Sequence, residues 1–285
     1  MGTSAKAVAG AMLTLMSSCN YIDPVANADS GGTLKVSVAC GDNSVKKWHF
    51  DIFSYDNDDI SHYYSEDDNI VLERQNACIL IYNDNTERTK VNNDYDNWIV
   101  YATTDITPEV MPTGKQPLYY MPDMLYSTYM DIDEYNGSSA TANLSPRVFK
   151  YDIDISVHDG ENRVRSCTEA YVEGMAQSVD LITNRKSEET VAMAFATTYS
   201  TDRHVTGQFT TFGAKGGKTV TCVLALLLQD GSRTYVTLDI SEQIAANLSG
   251  GTVKSDVNVE EAMADSTEET VTVEPRDSDN VHIGL

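Results

Sequence analysis

Tyr151-Asp-Ile-Asp-Ile-Ser-Val-His158 decides the fold class. Tyr151, Ile153, Ile155 and Val157 alternate with Asp152, Asp154, Ser156 and His158. Successive side chains of an extended chain point to opposite faces, so this stretch has one apolar face and one polar face. That is the pattern of a half-buried antiparallel strand. Working outward, β-type runs recur at 33–39, 48–55, 77–82 and 97–102 on one side, and at 189–199, 205–212, 218–228 and 233–240 on the other. Gln229-Asp-Gly-Ser232 joins the last two, and Asp-Gly is a strong hairpin signal. Val220 to Leu228 is apolar on both parities, which predicts a strand covered on both faces. Helical patterns are scarce; the best is 241–247, with Ser241 as its cap. Turn residues cluster at 136–146, with little to bury, and predict a boundary. The chain then reads as all-β: an N-terminal β-sandwich domain at 33–140 and a C-terminal one at 145–285 with an acidic tail.

Composition narrows the function. Of 285 residues, 41% are hydrophobic, enough for a packed core. Asp and Glu number 43 against 20 Lys and Arg, a net charge of -23. Such a chain is repelled by nucleic acid and by anionic headgroups, so neither is expected as a partner. No apolar run reaches the roughly 20 residues that a membrane-spanning helix needs.

The first residues read as an address. Met1 to Ser18 has one charge, Lys6, and a short apolar stretch from Ala7 to Met16, as in a signal peptide. Leu15-Met-Ser-Ser-Cys19 resembles a bacterial lipobox, which implies that Cys19 is lipidated and becomes the first mature residue. The alternative is an ordinary cleavage site near Ser18 with Cys19 an incidental thiol. Residues 19–32 are polar, with Pro24, Gly31 and Gly32, and suit a tether. Cys40, Cys78, Cys167 and Cys222 remain; four cysteines allow two disulfides in three connectivities. Cys78 and Cys222 sit in apolar β-type runs, where Cys acts as a small hydrophobe, and no CxxC pair supports zinc.

Chemistry-bearing motifs fail one by one. Gly213-Ala-Lys-Gly-Gly-Lys-Thr219 ends like a phosphate-binding loop. That loop needs a glycine where Phe212 stands and a helix where a β-type run follows, so the segment reads as a hairpin loop. Asp51 to Asp68 holds seven acids and no Lys or Arg, and 256–279 holds nine acids against Arg276 alone. Both read as solvated; neither has EF-hand spacing. The histidines, at 49, 62, 158, 204 and 282, are scattered. No HExxH or GxSxG occurs, so no catalytic residue, metal or cofactor is assigned.

The order of features resembles a family. A lipobox precedes Asn76-Ala-Cys-Ile-Leu-Ile-Tyr-Asn83 and Met121-Pro-Asp-Met-Leu-Tyr126. There follow Pro146-Arg-Val-Phe-Lys-Tyr-Asp-Ile-Asp-Ile155, Ala170-Tyr-Val-Glu-Gly-Met-Ala-Gln-Ser178, Gly207 to Gly213, Leu227 to Ser232 and Val236 to Ile244. This is similar to the FimB-like anchor and minor fimbrillin subunits of Bacteroides-type fimbriae. The resemblance implies two tandem transthyretin-like (Greek-key) sandwiches and a lipoprotein of the outer membrane, exposed at the cell surface. It implies a non-catalytic anchor or accessory subunit of a fimbria, acting in assembly or adhesion. Its partners would be other fimbrial subunits, joined by strand addition.

Shaft precursors of such fimbriae are cut after arginine. Between Cys19 and Arg74 this chain has Lys35, Lys46 and Lys47 but no arginine, as expected of an uncut, lipid-bearing anchor. Two β-type patches near the C-terminus, Thr252 to Val259 and Thr270 to Val273, are donor-strand candidates; an ordinary last strand with an acidic tail explains them as well. Phe209 and Phe212 read as packing. The other function class is a surface glycan-binding lipoprotein of a polysaccharide-uptake system. Trp48, Trp98, Tyr119 and Tyr120 could stack sugars there, although a buried core also explains aromatics.

Overall fold

The structure is a computed structural model. It describes residues 32–260 apart from 57–58, 74–75, 95–97, 115, 133–137 and 161–162. In chain order the strands are β1 (Thr33–Ala39), β2 (Trp48–Ser54), β3 (Ile60–Ser65), β4 (Asn69–Glu73), β5 (Ala77–Asn83), β6 (Thr89–Asp94), β7 (Ile99–Thr104), β8 (Ile106–Val110), β9 (Pro117–Tyr119), β10 (Tyr126–Asp131), β11 (Ser139–Asn143) and β12 (Ser145–Pro146). There follow β13 (Phe149–His158), β14 (Val164–Ala176), β15 (Ser178–Asp180), β16 (Thr190–Tyr199), β17 (His204–Thr211), β18 (Thr221–Leu228), β19 (Arg233–Asp239), helix α1 (Ser241–Ala246) and β20 (Gly251–Asn258). The all-β class is what the period-two pattern demands.

The first core lies between two sheets. One has the order β11-β1-β4 and the other β12-β10-β5-β2-β3. Leu34 and Val36 of β1 meet Trp48, Phe50 and Ile52 of β2 and Ile79 and Ile81 of β5. Burying each such side chain contributes about 1.5–3 kcal/mol. The alternate residues Phe53, Cys78, Leu80 and Tyr82 face the other way. They pack against Val100 and Ala102 of β7 and Val179 of β15, in the small sheet β15-β7-β6. The β2 and β5 strands are therefore covered on both faces.

The second core is wrapped by one long sheet, β19-β18-β14-β16-β17-β13-β20. Here β16 turns a corner, because residues 190–196 pair with β14 and residues 197–199 pair with β17. Tyr151, Ile153, Ile155 and Val157 all point into this core, as the quoted alternation requires. Val223 on the far face of β18 is covered by Met111, Leu118, Tyr171 and Ala192.

The two cores share a topological feature. In the first, β1 pairs with β4 antiparallel and with β11 parallel. In the second, β13 pairs with β17 antiparallel and with β20 parallel. Each core thus opens with a strand flanked in the same direction by a strand from near its end.

Four expectations change. Gly213–Thr219 is not a hairpin loop: β17 pairs with β13 and β16, while β18 pairs with β14 and β19, so the loop crosses between parts of the wrap. Ser241 does not cap α1; the cap position is Ile240 with no side-chain bond, and the Val220 N–H donates to Ser241 Oγ instead. The 136–146 stretch is not empty of structure, because β11 runs through it and buries Ala140 and Ala142 in the first core. Asp51–Asp68 is not one solvated loop, because it contains the end of β2, with Asp51 fully buried, and all of β3.

Candidate functional site

One border strand of the first core is β3. Among the described residues it pairs only with β2, which leaves its outer backbone edge without a strand partner there. Tyr63 and Tyr64 are exposed on it, Tyr64 by 67%. Such an edge presents unpaired N–H and C=O groups that a further strand can take up. The β20, β19 and β11 strands are likewise the last members of their sheets.

Beside β3 a cleft of about 400 Å³ opens between the outer face of β2–β5 and the strand β6. Tyr64, Tyr82, Asn83, Thr89 and Asn93 line it, with His49 and His62. A smaller hollow of about 210 Å³ adjoins it through Tyr64 and Asp84. Aromatic walls beside amides and hydroxyls suit a polar, ring-bearing ligand.

At the floor of the cleft three residues converge. His49 and Asp51 stand two apart on β2 and so share a face. His62 is the direct cross-strand partner of Asp51 on β3. His49 Nε2 and His62 Nδ1 each lie 2.6 Å from the same atom, Asp51 Oδ1. The His49 ring is clamped, stacked on Tyr82 at 4.6 Å and edge-on to Tyr64 at 4.4 Å. Neither the scatter of histidines nor the acidic run points to this cluster. The signal that finds it is the His-x-Asp spacing of a strand combined with the hairpin register that sets 51 opposite 62.

The residues singled out in the sequence fall elsewhere. Trp48 is core, and its indole N–H donates to Asp68 Oδ1. Trp98 stacks between Phe53 and Tyr55. Tyr119 packs on the second core, and Tyr120 lies under the Arg88 guanidinium. The four therefore do not form one sugar platform. Phe209 and Phe212 are both buried, as packing residues should be. Met121–Tyr126 is a clasp. Asp123 Oδ2 accepts the backbone N–H groups of Glu87 and Arg88, and the Pro122 carbonyl accepts the Thr210 hydroxyl.

Cys40, Cys78, Cys167 and Cys222 are free thiols. Burial pushes Cys78 and Cys167 up and pushes Cys222 up to about 12, so these thiols are poor nucleophiles. Cys19 and the distal patch Thr270–Val273 lie outside the described residues. The proximal patch is β20, formed and paired with β13.

No protein-family model matches the chain, and no curated protein matches it. Solved structures do. A "putative adhesin" from Bacteroides ovatus superposes with a TM-score of 0.62 at 16% identity, over 80% of this chain and 93% of that one. A second "putative adhesin", from Bacteroides thetaiotaomicron, gives 0.52 at 8% identity, over 82% and 94%. A structure from the same organism described as "putative polysaccharide binding proteins" gives 0.54 at 9% identity, over 80% and 90%. At these identities the likeness is one of fold, and it runs through nearly the whole of each neighbour.

Proposed function

We propose that this chain is a non-catalytic, lipid-anchored surface protein, an anchor or accessory subunit of a fimbria that acts in assembly or adhesion. The observation that carries the reading is the fold match, over 80% of this chain, to a Bacteroides ovatus protein described as a "putative adhesin". The lipobox ending at Cys19 supports attachment to the outer membrane. The strand borders at β3, β11, β19 and β20, unpaired among the described residues, support partners that join by strand addition. Two sandwich domains, 33–140 and 145–285, are supported by the two cores at Leu34–Leu144 and Tyr151–Val259, which meet across a third cluster holding Phe53, Leu80, Val179 and Phe212.

The test is affinity isolation of the native protein from crosslinked outer membranes, with mass spectrometry of the eluate. Fimbrial shaft subunits, with a lipidated peptide starting at Cys19, are expected. A TonB-type transporter with glycan-binding lipoproteins would overturn the reading in favour of carbohydrate capture. That second reading has its own support in the Tyr64–Tyr82 cleft and in the fold likeness to a protein described as polysaccharide-binding. Affinity electrophoresis in gels cast with host or dietary polysaccharides separates the two.

A further inference from the structure

The floor of the cleft carries chemistry that neither adhesion nor strand addition needs. Asp51 is fully buried, yet its Oδ2 has no hydrogen-bond partner among the described residues. A buried carboxylate oxygen left unpaired costs free energy, so its retention asks for a cause. His49, also buried, and the half-exposed His62 aim one nitrogen each at the other oxygen. The three ligand atoms lie within 4.8 Å of one another.

We propose that His49, Asp51 and His62 form a binding site for a divalent transition-metal ion of the zinc class. Two imidazole nitrogens and one carboxylate are a set that borderline cations prefer over calcium or magnesium, which want oxygen alone. Three protein ligands leave a fourth tetrahedral position. Both histidines line the cleft, so that position opens toward solvent and the ion has an entry path.

The present contacts are hydrogen bonds in which each imidazole directs an N–H at Oδ1. On metal binding each ring presents a lone pair instead and carries its proton on the other nitrogen. The facing atoms then separate from 2.6 Å to roughly 3.3 Å, the edge of a tetrahedron with bonds near 2.05 Å. The move is small. The β2–β3 register fixes Asp51 opposite His62, and the Tyr82 stack fixes the plane of His49. Rigid ring orientation is what a metal-binding histidine requires.

The experiment uses the mature chain without a histidine tag, stripped with chelator. Calorimetry with Zn²⁺ alone and visible absorption with Co²⁺ alone are the readouts. One ion per chain is expected, with the intense visible bands of tetrahedral Co²⁺. His62→Ala removes a half-exposed ligand without opening the core, and is expected to weaken binding about 100-fold or more. Asp51→Asn is expected to do the same. His158→Ala, at the exposed His158–Asp256 pair, is the control and should change nothing. Absence of one-to-one binding, or binding that His62→Ala leaves unchanged while the variant melts like the parent, would overturn the site. The cluster would then be a hydrogen-bonded core alone, and surface carboxylates would account for any residual uptake. Neither result bears on the fimbrial reading, which rests on different residues.

Discussion

The Tyr151 hydroxyl donates a 2.8 Å hydrogen bond to the Asn247 carbonyl, tying the first strand of the second core to the turn that launches β20. Tyr151 is fully buried, with its ring stacked on Phe209. The Tyr151→Phe variant keeps the ring and removes this donor, leaving the Asn247 carbonyl with the Gly250 N–H alone. A loss of about 1 kcal/mol is expected, with a Tm lower by about 2–4 °C. Denaturant unfolding followed by circular dichroism measures it.

A sharper cost is expected at Gly174. The chain takes φ of +86° there, at a bulge between Glu173 and Met175. A Cβ would sit 2.1 Å from the Thr219 carbonyl oxygen, which is backbone and cannot swing aside. Gly174→Ala should destabilise by about 3 kcal/mol or more, enough to lower soluble yield. Gly217→Ala is the comparison, since its φ is also positive but no atom lies within 4 Å of the added methyl. Equal losses in the two variants would show that backbone conformation, not the clash, sets the cost.

Alkali should unfold this protein progressively. Cys222 is raised to about 12 by burial, and burial raises Tyr129 and Tyr171 well beyond their ordinary range. A group raised in the folded state supports folding fully below its unfolded pKa. That support is lost as pH climbs from the unfolded value of about 9 for a thiol towards 12. Stability measured by denaturant should be flat near neutrality and fall above pH 9. Native Cys222 should resist alkylation until the chain unfolds.

Replacing Cys19 with Ser tests the anchor. Labelling with radioactive palmitate should disappear, and the protein should leave the membrane fraction. Persistence of the label would place the lipid elsewhere.

Much of this fold was legible because its strands are half-buried. The β13 alternation and the Asp-Gly hairpin between β18 and β19 needed no tertiary information. The strands that escaped did so for separable reasons. Ile60–Ser65 is an exposed border strand, so nothing forces its residues to alternate. Ser139–Asn143 buries only alanines, too small to give a hydrophobic signal. In Val164–Ala176 the bulge at Gly174 and earlier register shifts break the period. The His49–Asp51–His62 cluster escaped because it exists only across a strand pair. Composition marked its neighbourhood as an acidic loop.

The matched direction of β1 with β11, and of β13 with β20, has a mechanical meaning. Tension entering at Thr33 and leaving at Asn143 pulls β1 and β11 in opposite senses along one axis. The same holds for β13 and β20 between Phe149 and Asn258. Such a load shears the ladder, straining all its rungs together, instead of peeling them one after another. A fold pulled through those ends yields only at high force.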